Sequence, residues 1–162
     1  MIEEVKIPED RLPVLIGKKG RTKETIGELT ETSITVTDWV KISGEDSLKL
    51  MKAKEMVKAI GRGFTPEEAE RLLEENVSLH IISLSGKTYK KRTRLLGRVI
   101  GNRGRSKKII ENETGASIAI KGKTVAVIGT PQETAPAEEA IADLLAGKTH
   151  GYAYKDMNRH KK

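Results

Sequence analysis

Two short segments of this chain have the residue types that bring a polypeptide backbone against a phosphate. Each is a glycine pair enclosing two polar or basic residues, Gly17-Lys18-Lys19-Gly20 and Gly101-Asn102-Arg103-Gly104. Glycine has no Cβ, so it permits a sharp turn and a close approach by a sugar-phosphate backbone. A helix that starts directly behind the second glycine adds unpaired N–H groups and its positive dipole end. The two loops are therefore candidate nucleic-acid contacts.

The two loops belong to a longer internal repeat. Residues 14–36 align without a gap with residues 98–120, and nine of the 23 aligned pairs are identical. A chance pair of glycines would not bring its neighbours with it. The repeat therefore predicts a duplicated module of about 75 residues rather than a short-period solenoid, and each half must build a small core of its own.

The composition excludes several kinds of site. The 162 residues include no cysteine and three scattered histidines, His80, His150 and His160. Thiol chemistry is therefore excluded, and neither a metal site nor any cofactor is expected. No apolar run has the length of a membrane span, and the first residues lack a signal-peptide pattern. We expect a soluble, cytoplasmic monomer that makes no membrane contact.

Enzyme motifs are also missing. Gly-Lys-Thr occurs at Gly86, Gly122 and Gly147, but the residue five positions before each is not glycine, so none of the three is a nucleotide-hydrolase phosphate loop. The sequence contains no gly-x-gly-x-x-gly and no nucleophile motif. His80 lies in a predicted strand, where a packed or surface histidine is expected rather than a base. We predict no catalytic activity.

The net charge of +7 is distributed unevenly. Residues 1–75 hold 13 Lys and Arg against 16 Asp and Glu, whereas residues 76–162 hold 17 against 7, a net charge of +10. Residues 87–110 contain ten basic residues and no acidic one. A thermophilic composition would explain abundant charge but not this segregation. The second half is therefore predicted to carry the main polyanion contact.

Hydrophobic spacing predicts the same order of elements in both halves: strand, helix, loop, helix, strand, strand, helix. In the first half we expect strands over 2–7, 33–37 and 39–43 and helices over 9–16, 21–30 and 45–60. In the second half we expect strands over 77–84, 117–121 and 124–128 and helices over 88–100 and 105–114. A last helix ends at Ala146. Thr130 and Glu133 are a candidate cap for its start, and Pro136 would then kink the helix or delay its start to about Thr134. Between the halves, Thr65 and Glu68 form a capping-box pattern that predicts a short linking helix over 65–75.

This order, with a gly-x-x-gly loop between the first two helices, resembles the type I KH domain. The resemblance implies an α+β fold of two tandem type I KH domains, each a three-stranded antiparallel sheet packed against three helices. The domains are expected over 1–61 and 77–149, with a linking helix over 62–76 and a basic tail over 150–162. The resemblance to KH domains also implies that each domain holds about four nucleotides of single-stranded RNA.

The basic residues around the loops form the predicted phosphate contacts. In the second half the loop is flanked by Arg94, Arg98, Arg105, Lys107 and Lys108, and Lys90, Arg94 and Arg98 recur every fourth residue along the helix that enters the loop. In the first half the secondary contacts are Lys18, Lys19, Arg21 and Lys23 beside Gly17 and Gly20. A merely solvated helix face is the alternative, although such faces usually include acids.

Aliphatic residues are expected to line a groove for the bases. They are Ile100, Ile110 and Ile118 in the second half and Ile16, Ile26 and Ile34 in the first. Each could equally be a core residue. Because the chain has only one Trp, three Tyr and one Phe, aromatic stacking is not expected to be the main base contact.

Several segments of the second half resemble one particular family, the ribosome assembly factors called partner of Nob one. They are Leu96-Gly97-Arg98-Val99-Ile100-Gly101, Glu113-Thr114-Gly115, residues 122–129 and His150-Gly151. The resemblance implies an archaeal, non-enzymatic protein that binds single-stranded small-subunit ribosomal RNA near its 3′ end. It also implies assistance to the endonuclease that matures that end. We therefore expect a protein partner, either that endonuclease or a translation factor.

Two other functions remain open from the sequence. One is a protein-interaction adaptor that docks its partner on the acidic first half. The other is an RNA-binding cofactor of an RNA-degradation or translation complex. Both would keep the gly-x-x-gly loops, and they differ from the leading hypothesis in the partner that is bound.

Overall fold

The computed structural model describes residues 1–158, apart from the side chains of Asp156 and Asn158. The chain divides into two compact units, Met1–Glu75 and a second that begins at Asn76. Within the described residues no helix is both long and apolar enough to cross a membrane.

The first unit contains three strands and four α-helices. The strands are β1 (Ile2–Val5), β2 (Ser33–Val36) and β3 (Val40–Ser43); the helices are α1 (Leu12–Ile16), α2 (Arg21–Thr30), α3 (Ser47–Gly61) and α4 (Pro66–Glu70). Three-residue 3-10 turns precede α1, join α1 to α2 and follow α4. The capping box predicted at Thr65 and Glu68 is present, and it starts α4 with Pro66 in the first turn.

The second unit repeats this order. Its strands are β4 (Ser78–Ser83), β5 (Ser117–Lys121) and β6 (Thr124–Gly129); its helices are α5 (Tyr89–Ile100), α6 (Arg105–Thr114), α7 (Pro131–Leu145) and α8 (His150–Asn158). The predicted bounds of α6 are confirmed, and so is its stop at Gly115, which has a φ of 84°.

Each unit has a three-stranded antiparallel sheet with its last strand in the centre, in the orders β1-β3-β2 and β4-β6-β5. The α+β class and the two repeated sheets are therefore confirmed. The core of the second unit includes Val99, Ile110, Val125, Val127 and Ile141, all fully buried. It packs α5, α6 and α7 against one face of the sheet and holds the loop between α5 and α6 in place.

Two expectations about the elements are corrected. Residues 62–75 of the predicted linking segment belong to the first unit, because α4 and the following 3-10 turn pack on α3 and bury Ala69 and Leu72, and the second unit begins at Asn76. Helix α7 begins at Pro131, and Pro136 lies inside it and is buried. Thr130 and Glu133 supply the capping box that starts the helix before Pro136 is reached.

The predicted basic tail is also different from the observed structure. Residues 150–158 form α8, which packs on α6 and α7. Ala153 and Met157 are buried in the core of the second unit. Helix α8 is therefore a fourth helix of this unit, where three were predicted. The rest of the predicted tail, residues 159–162, lies outside the described residues.

Candidate nucleic-acid interface

The two gly-x-x-gly loops have the same backbone conformation. Gly17, Lys19 and Gly20 have φ values of 74°, 56° and 76°, and Gly101, Arg103 and Gly104 have 75°, 56° and 74°. In both loops the second glycine donates its N–H to the carbonyl of the first at 3.2 Å. The internal repeat therefore preserves a three-dimensional loop as well as a sequence pattern.

The first glycine of each loop is required by a close approach of the next helix. A Cβ on Gly101 would lie 2.6 Å from Cβ of Ser106, and one on Gly17 would lie 2.7 Å from Cβ of Thr22. By contrast, a Cβ on Gly20 or Gly104 would meet nothing within 4 Å. The second glycine thus faces open space, where a ligand backbone can approach.

The helices behind the loops begin without a side-chain cap. Helix α2 follows Gly20 and α6 follows Gly104, and among the described residues no side chain hydrogen-bonds to the first N–H groups of either helix. These N–H groups and the helix dipole favour an anion. Lys18, Lys19, Asn102 and Arg103 are all exposed on the loops, where they can contact a phosphate.

A basic cavity lies beside the second loop. It has a volume of about 470 Å³, and its lining side chains include three cations and no acid: Asn102, Arg103, Arg105, Lys108, Ile109 and Asn112. The residues from α6 lie at the i, i+3, i+4, i+7 spacing of one helix face. Ile109 and Asn112 were not predicted, although this spacing from Arg105 and Lys108 would have identified them.

The corresponding face of the first unit is acidic. In the repeat, Glu24 and Glu28 of α2 stand where α6 has Lys108 and Asn112. Both glutamates also line a cavity of about 360 Å³ between α2 and β2, together with Lys23 and Ile34. The charge difference between the two halves is therefore present at the binding surfaces themselves.

Arg98, which was predicted to belong to the basic stripe on α5, is bonded within the protein. Its guanidinium donates to the carbonyl of Leu144 at 2.9 Å and to the carbonyl of Lys148. The His150 ring completes this cluster, with Nε2 lying 3.0 Å from the carbonyl oxygen of Arg98. Arg98 thus ties α5 to the end of α7 and the start of α8, which corrects its assignment as a phosphate contact.

Lys107 is also engaged within the protein. Its Nζ lies 3.2 Å from Oε1 of Glu111, one helical turn later. Oε2 of the same carboxylate accepts a hydrogen bond from the backbone N–H of Ile118 at 2.9 Å. Lys107, which was predicted to contact a phosphate beside the loop, is therefore paired with a carboxylate that is itself bonded to β5.

Four of the six predicted groove isoleucines are core residues. Ile26, Ile34, Ile110 and Ile118 are at most 7% exposed, so most of each side chain packs in the core, although Ile34 also borders the cavity between α2 and β2. Ile100, which is 37% exposed, and the half-buried Ile16 remain accessible beside the loops. The spacing of apolar residues in the sequence shows which residues share an apolar face. It does not show whether a residue of that face is buried in the core or lines a groove.

A second basic surface lies at the start of α5. Lys90, Lys91 and Arg94 are exposed and, with the helix-capping Thr88, line a cavity of about 380 Å³. Lys90 and Arg94 are the exposed part of the predicted stripe, and their contact with RNA stays a prediction. Because Arg98 is engaged elsewhere, this surface is separate from the loop.

His80 takes part in a chain of hydrogen bonds. Nδ1 of His80 lies 2.5 Å from Oε1 of Glu138, and Nε2 lies 2.9 Å from Oγ of Ser78. This chain connects β4 to α7, and we assign it a structural role. Over the part of the chain that is described, no group of three His, Cys, Asp or Glu side chains could hold a metal ion.

Comparison with known proteins agrees with this geometry. Residues 76–162 match the model of the second domain of Pno1 proteins, described as a eukaryotic type KH-domain (KH-domain type I), and residues 2–59 match the KH domain model. A KH domain-containing protein of Methanocaldococcus jannaschii is 39% identical over 99% of this chain and 74% of that protein. The pre-rRNA-processing protein pno1 of Aspergillus fumigatus is 29% identical over 70% of this chain, and the match spans about half (47%) of that longer protein.

A solved structure matches both units. It is the complex of a/eIF2alpha, aDim2p and rRNA from Pyrococcus horikoshii, with a TM-score of 0.92 and 46% identity over 99% of this chain and 94% of that one. The match includes both repeated units and both loops. The chain belongs to the partner-of-Nob-one (Pno1 or Dim2) family of proteins with two type I KH domains.

Proposed function

We propose that this chain is a non-enzymatic ribosome assembly factor that binds single-stranded ribosomal RNA near the 3′ end of the small-subunit RNA. The observation that carries the proposal is the pair of gly-x-x-gly loops with identical backbone conformation. The relatives support it, since one is named as a pre-rRNA-processing protein and another was solved together with rRNA.

The phosphates would lie against the loops and the starts of α2 and α6. At each loop the second glycine leaves room for the sugar-phosphate backbone, and the uncapped helix offers N–H groups to it. Bases would then lie beside the exposed Ile100 and the half-buried Ile16. Contacts of this kind require unpaired bases, which is why single-stranded RNA is the substrate class.

The second unit is the principal RNA contact in this proposal. Its cavity is lined by Arg103, Arg105 and Lys108 without an acid, whereas the matching helix of the first unit presents Glu24 and Glu28. Phosphate contacts dominate nucleic-acid affinity, so the surface with more uncompensated cations binds more tightly. Lys90 and Arg94 would hold RNA that flanks the four nucleotides in the groove.

A protein partner is a second component of the proposed function. The Pyrococcus protein was solved in complex with a/eIF2alpha, which supports a translation factor as the partner. The family resemblance supports the endonuclease that matures the same RNA end. The acidic first unit, whose residues 1–75 carry a net charge of −3, is the side on which we place protein contact.

Crosslinking in cells tests the RNA target directly. The chain is crosslinked to RNA by ultraviolet light, purified under denaturing conditions, and the crosslinked positions are sequenced. We expect the crosslinks to concentrate near the 3′ end of the small-subunit RNA, and to be depleted when Asn102 and Arg103 are both replaced by Asp. Crosslinks that are scattered over many RNAs, or concentrated in messenger RNA, would contradict the proposal.

A further inference from the structure

The one tryptophan of the chain lies on the surface of the first unit. Trp39 stands in the turn between β2 and β3 and is 48% exposed. Indole is costly to leave in water unless it has a partner, because it carries a large apolar area. An exposed Trp in a turn is therefore a candidate for ligand contact.

Trp39 borders a cavity of about 660 Å³ that runs from the turn to α1. The opposite wall is apolar and consists of Leu12, Pro13 and Ile16, and Ile16 is the residue directly before Gly17. The last residue of this wall, Ile16, is thus joined directly to the first glycine of the loop. This adjacency is the basis for expecting that a strand bound at the loop can place a base in the cavity.

The polar groups of the cavity favour a base over a phosphate. Glu9 and Asp38 both line it, and their carboxylates would repel a phosphate. Nζ of Lys6 lies 5.4 Å from the centroid of the Trp39 ring, which already places one cation against the indole. Carboxylates accept hydrogen bonds from base amino groups, whereas the indole offers a planar face to the base itself.

The second unit lacks this arrangement. Its corresponding turn is Gly122-Lys123, which has a cation and no aromatic residue, and Gly97 stands where the first unit has Pro13. The two units are therefore built for different contacts, stacking in the first and charge in the second.

We propose that Trp39 stacks on a nucleobase of single-stranded RNA that is held by the Gly17–Gly20 loop. This inference rests on the proposed function and adds to it a base-stacking site in the first unit. The acidic first unit then binds RNA through a base face rather than through a dense phosphate contact, which explains how it can bind RNA without a basic surface.

The single Trp makes the site observable by its own fluorescence. The experiment uses the full chain with Asn102→Asp and Arg103→Asp, so that binding by the second loop is reduced. A short single-stranded oligoribonucleotide with the 3′-terminal sequence of the small-subunit RNA is titrated in, while Trp emission and RNA polarisation are recorded together. Stacking quenches indole emission, so we expect quenching that follows the polarisation curve.

Substitutions then separate stacking from general damage. Trp39→Ala should weaken RNA binding in this background by about 10-fold, the scale of one lost stacking contact, whereas Trp39→Phe should retain most of the affinity. Tyr152→Ala is the matched control: Tyr152 is also 48% exposed and has a lysine, Lys148, 4.5 Å from its ring centroid, but it lies on α8. We expect that control to change affinity by less than about twofold.

The failures of the two proposals are distinguishable. If the RNA binds by polarisation but neither quenches Trp39 nor loses affinity with Trp39→Ala, the stacking site is wrong and the proposed function stands. If the wild-type chain does not bind this RNA at all, the proposed function fails and the stacking site fails with it. Quenching by an added protein, with none by RNA, would also overturn the stacking site.

Discussion

One carboxylate oxygen of Glu111 accepts a hydrogen bond from the backbone N–H of Ile118 at 2.9 Å and so fastens α6 to the edge strand β5. In the first unit the repeat places Gly27 at the position of Glu111. There Thr37 donates to the carbonyl of Trp39, and the alternation of an antiparallel ladder directs the N–H of Ile34 away from β3. The strand edge is thus covered by a side chain in one unit and uncovered in the other.

Removal of the Glu111 carboxylate should raise the affinity for RNA and lower the stability of the fold. Glu111→Ala releases Lys107 and uncovers the Ile118 N–H, so we expect a few-fold gain in affinity for single-stranded RNA. The free energy of unfolding should fall by about 1 to 3 kcal/mol, because a partly buried N–H loses its charged acceptor. Denaturant unfolding and polarisation binding measure the two quantities.

Glu113→Ala provides the control for this prediction. It removes the same charge from an exposed residue of the same helix. An equal gain in affinity from Glu113→Ala would mean that net charge, and not the uncovered strand edge, causes the effect.

Arg98 should behave as a structural residue rather than a phosphate contact. Arg98→Ala removes two hydrogen bonds that a charged guanidinium donates to the carbonyls of Leu144 and Lys148, so we expect a loss of about 1.5 to 3 kcal/mol of stability. Arg94→Ala removes an exposed arginine of the same helix and should cost less than about 0.5 kcal/mol. Thermal unfolding of the two variants checks this order. Equal stability losses would contradict the structural assignment of Arg98.

The two glycines of the second loop should respond differently to alanine. Gly104→Ala costs about 1 to 2 kcal/mol for the left-handed backbone and places a methyl group in open space, where it would obstruct the RNA. Gly101→Ala also collides with Ser106, which adds about 1 to 3 kcal/mol of overpacking. Unfolding and RNA binding of both variants are measured. We expect Gly101→Ala to be the less stable, and Gly104→Ala to remain folded with weakened binding; the opposite order of stability would be inconsistent with the loop geometry.

The local pattern of the chain was sufficient to predict most elements. Helices α2 and α6 begin and end where glycine, polar spacing and apolar period place them. Of the two predicted starts of α7 the later one, near Thr134, was wrong, because the capping box of Thr130 and Glu133 begins the helix and Pro136 lies inside it. Helix α8 was missed because its short apolar stripe, which buries Ala153 and Met157, is interrupted by charged and polar residues.

The site was harder to predict than the fold because its charges find distant partners. Arg98 contacts carbonyls 46 and 50 residues later in the chain, and no local rule discloses such a pairing. The prediction that Ile110 and Ile118 line the groove was wrong for a related reason. The burial of each side chain depends on α7 and β6 as well as on its own element. The position of each loop between two helices was predicted, because it depends on residues that are close together in the sequence.

The salt dependence of binding should reflect the cations that remain free. For single-stranded nucleic acid the logarithm of the binding constant falls by about 0.7 per phosphate contact for each unit of log salt. Arg105→Gln, at an exposed residue that lines the basic cavity, should reduce this slope by about 0.7. Lys58→Gln, at an exposed lysine of α3, should leave the slope unchanged. Equal slopes for all three proteins would exclude Arg105 from the phosphate contacts.

A matched pair of double variants shows whether the second loop is the principal RNA contact. One carries Asn102→Asp and Arg103→Asp, the other Lys18→Asp and Lys19→Asp, and both replace the two exposed residues between a pair of glycines. Their dissociation constants for one single-stranded RNA from the 3′ end of the small-subunit RNA are measured at the same salt concentration. We predict a larger loss of affinity for the Asn102 and Arg103 variant, although its change in charge is the smaller of the two. An equal loss, or a larger loss for the Lys18 and Lys19 variant, would contradict the account.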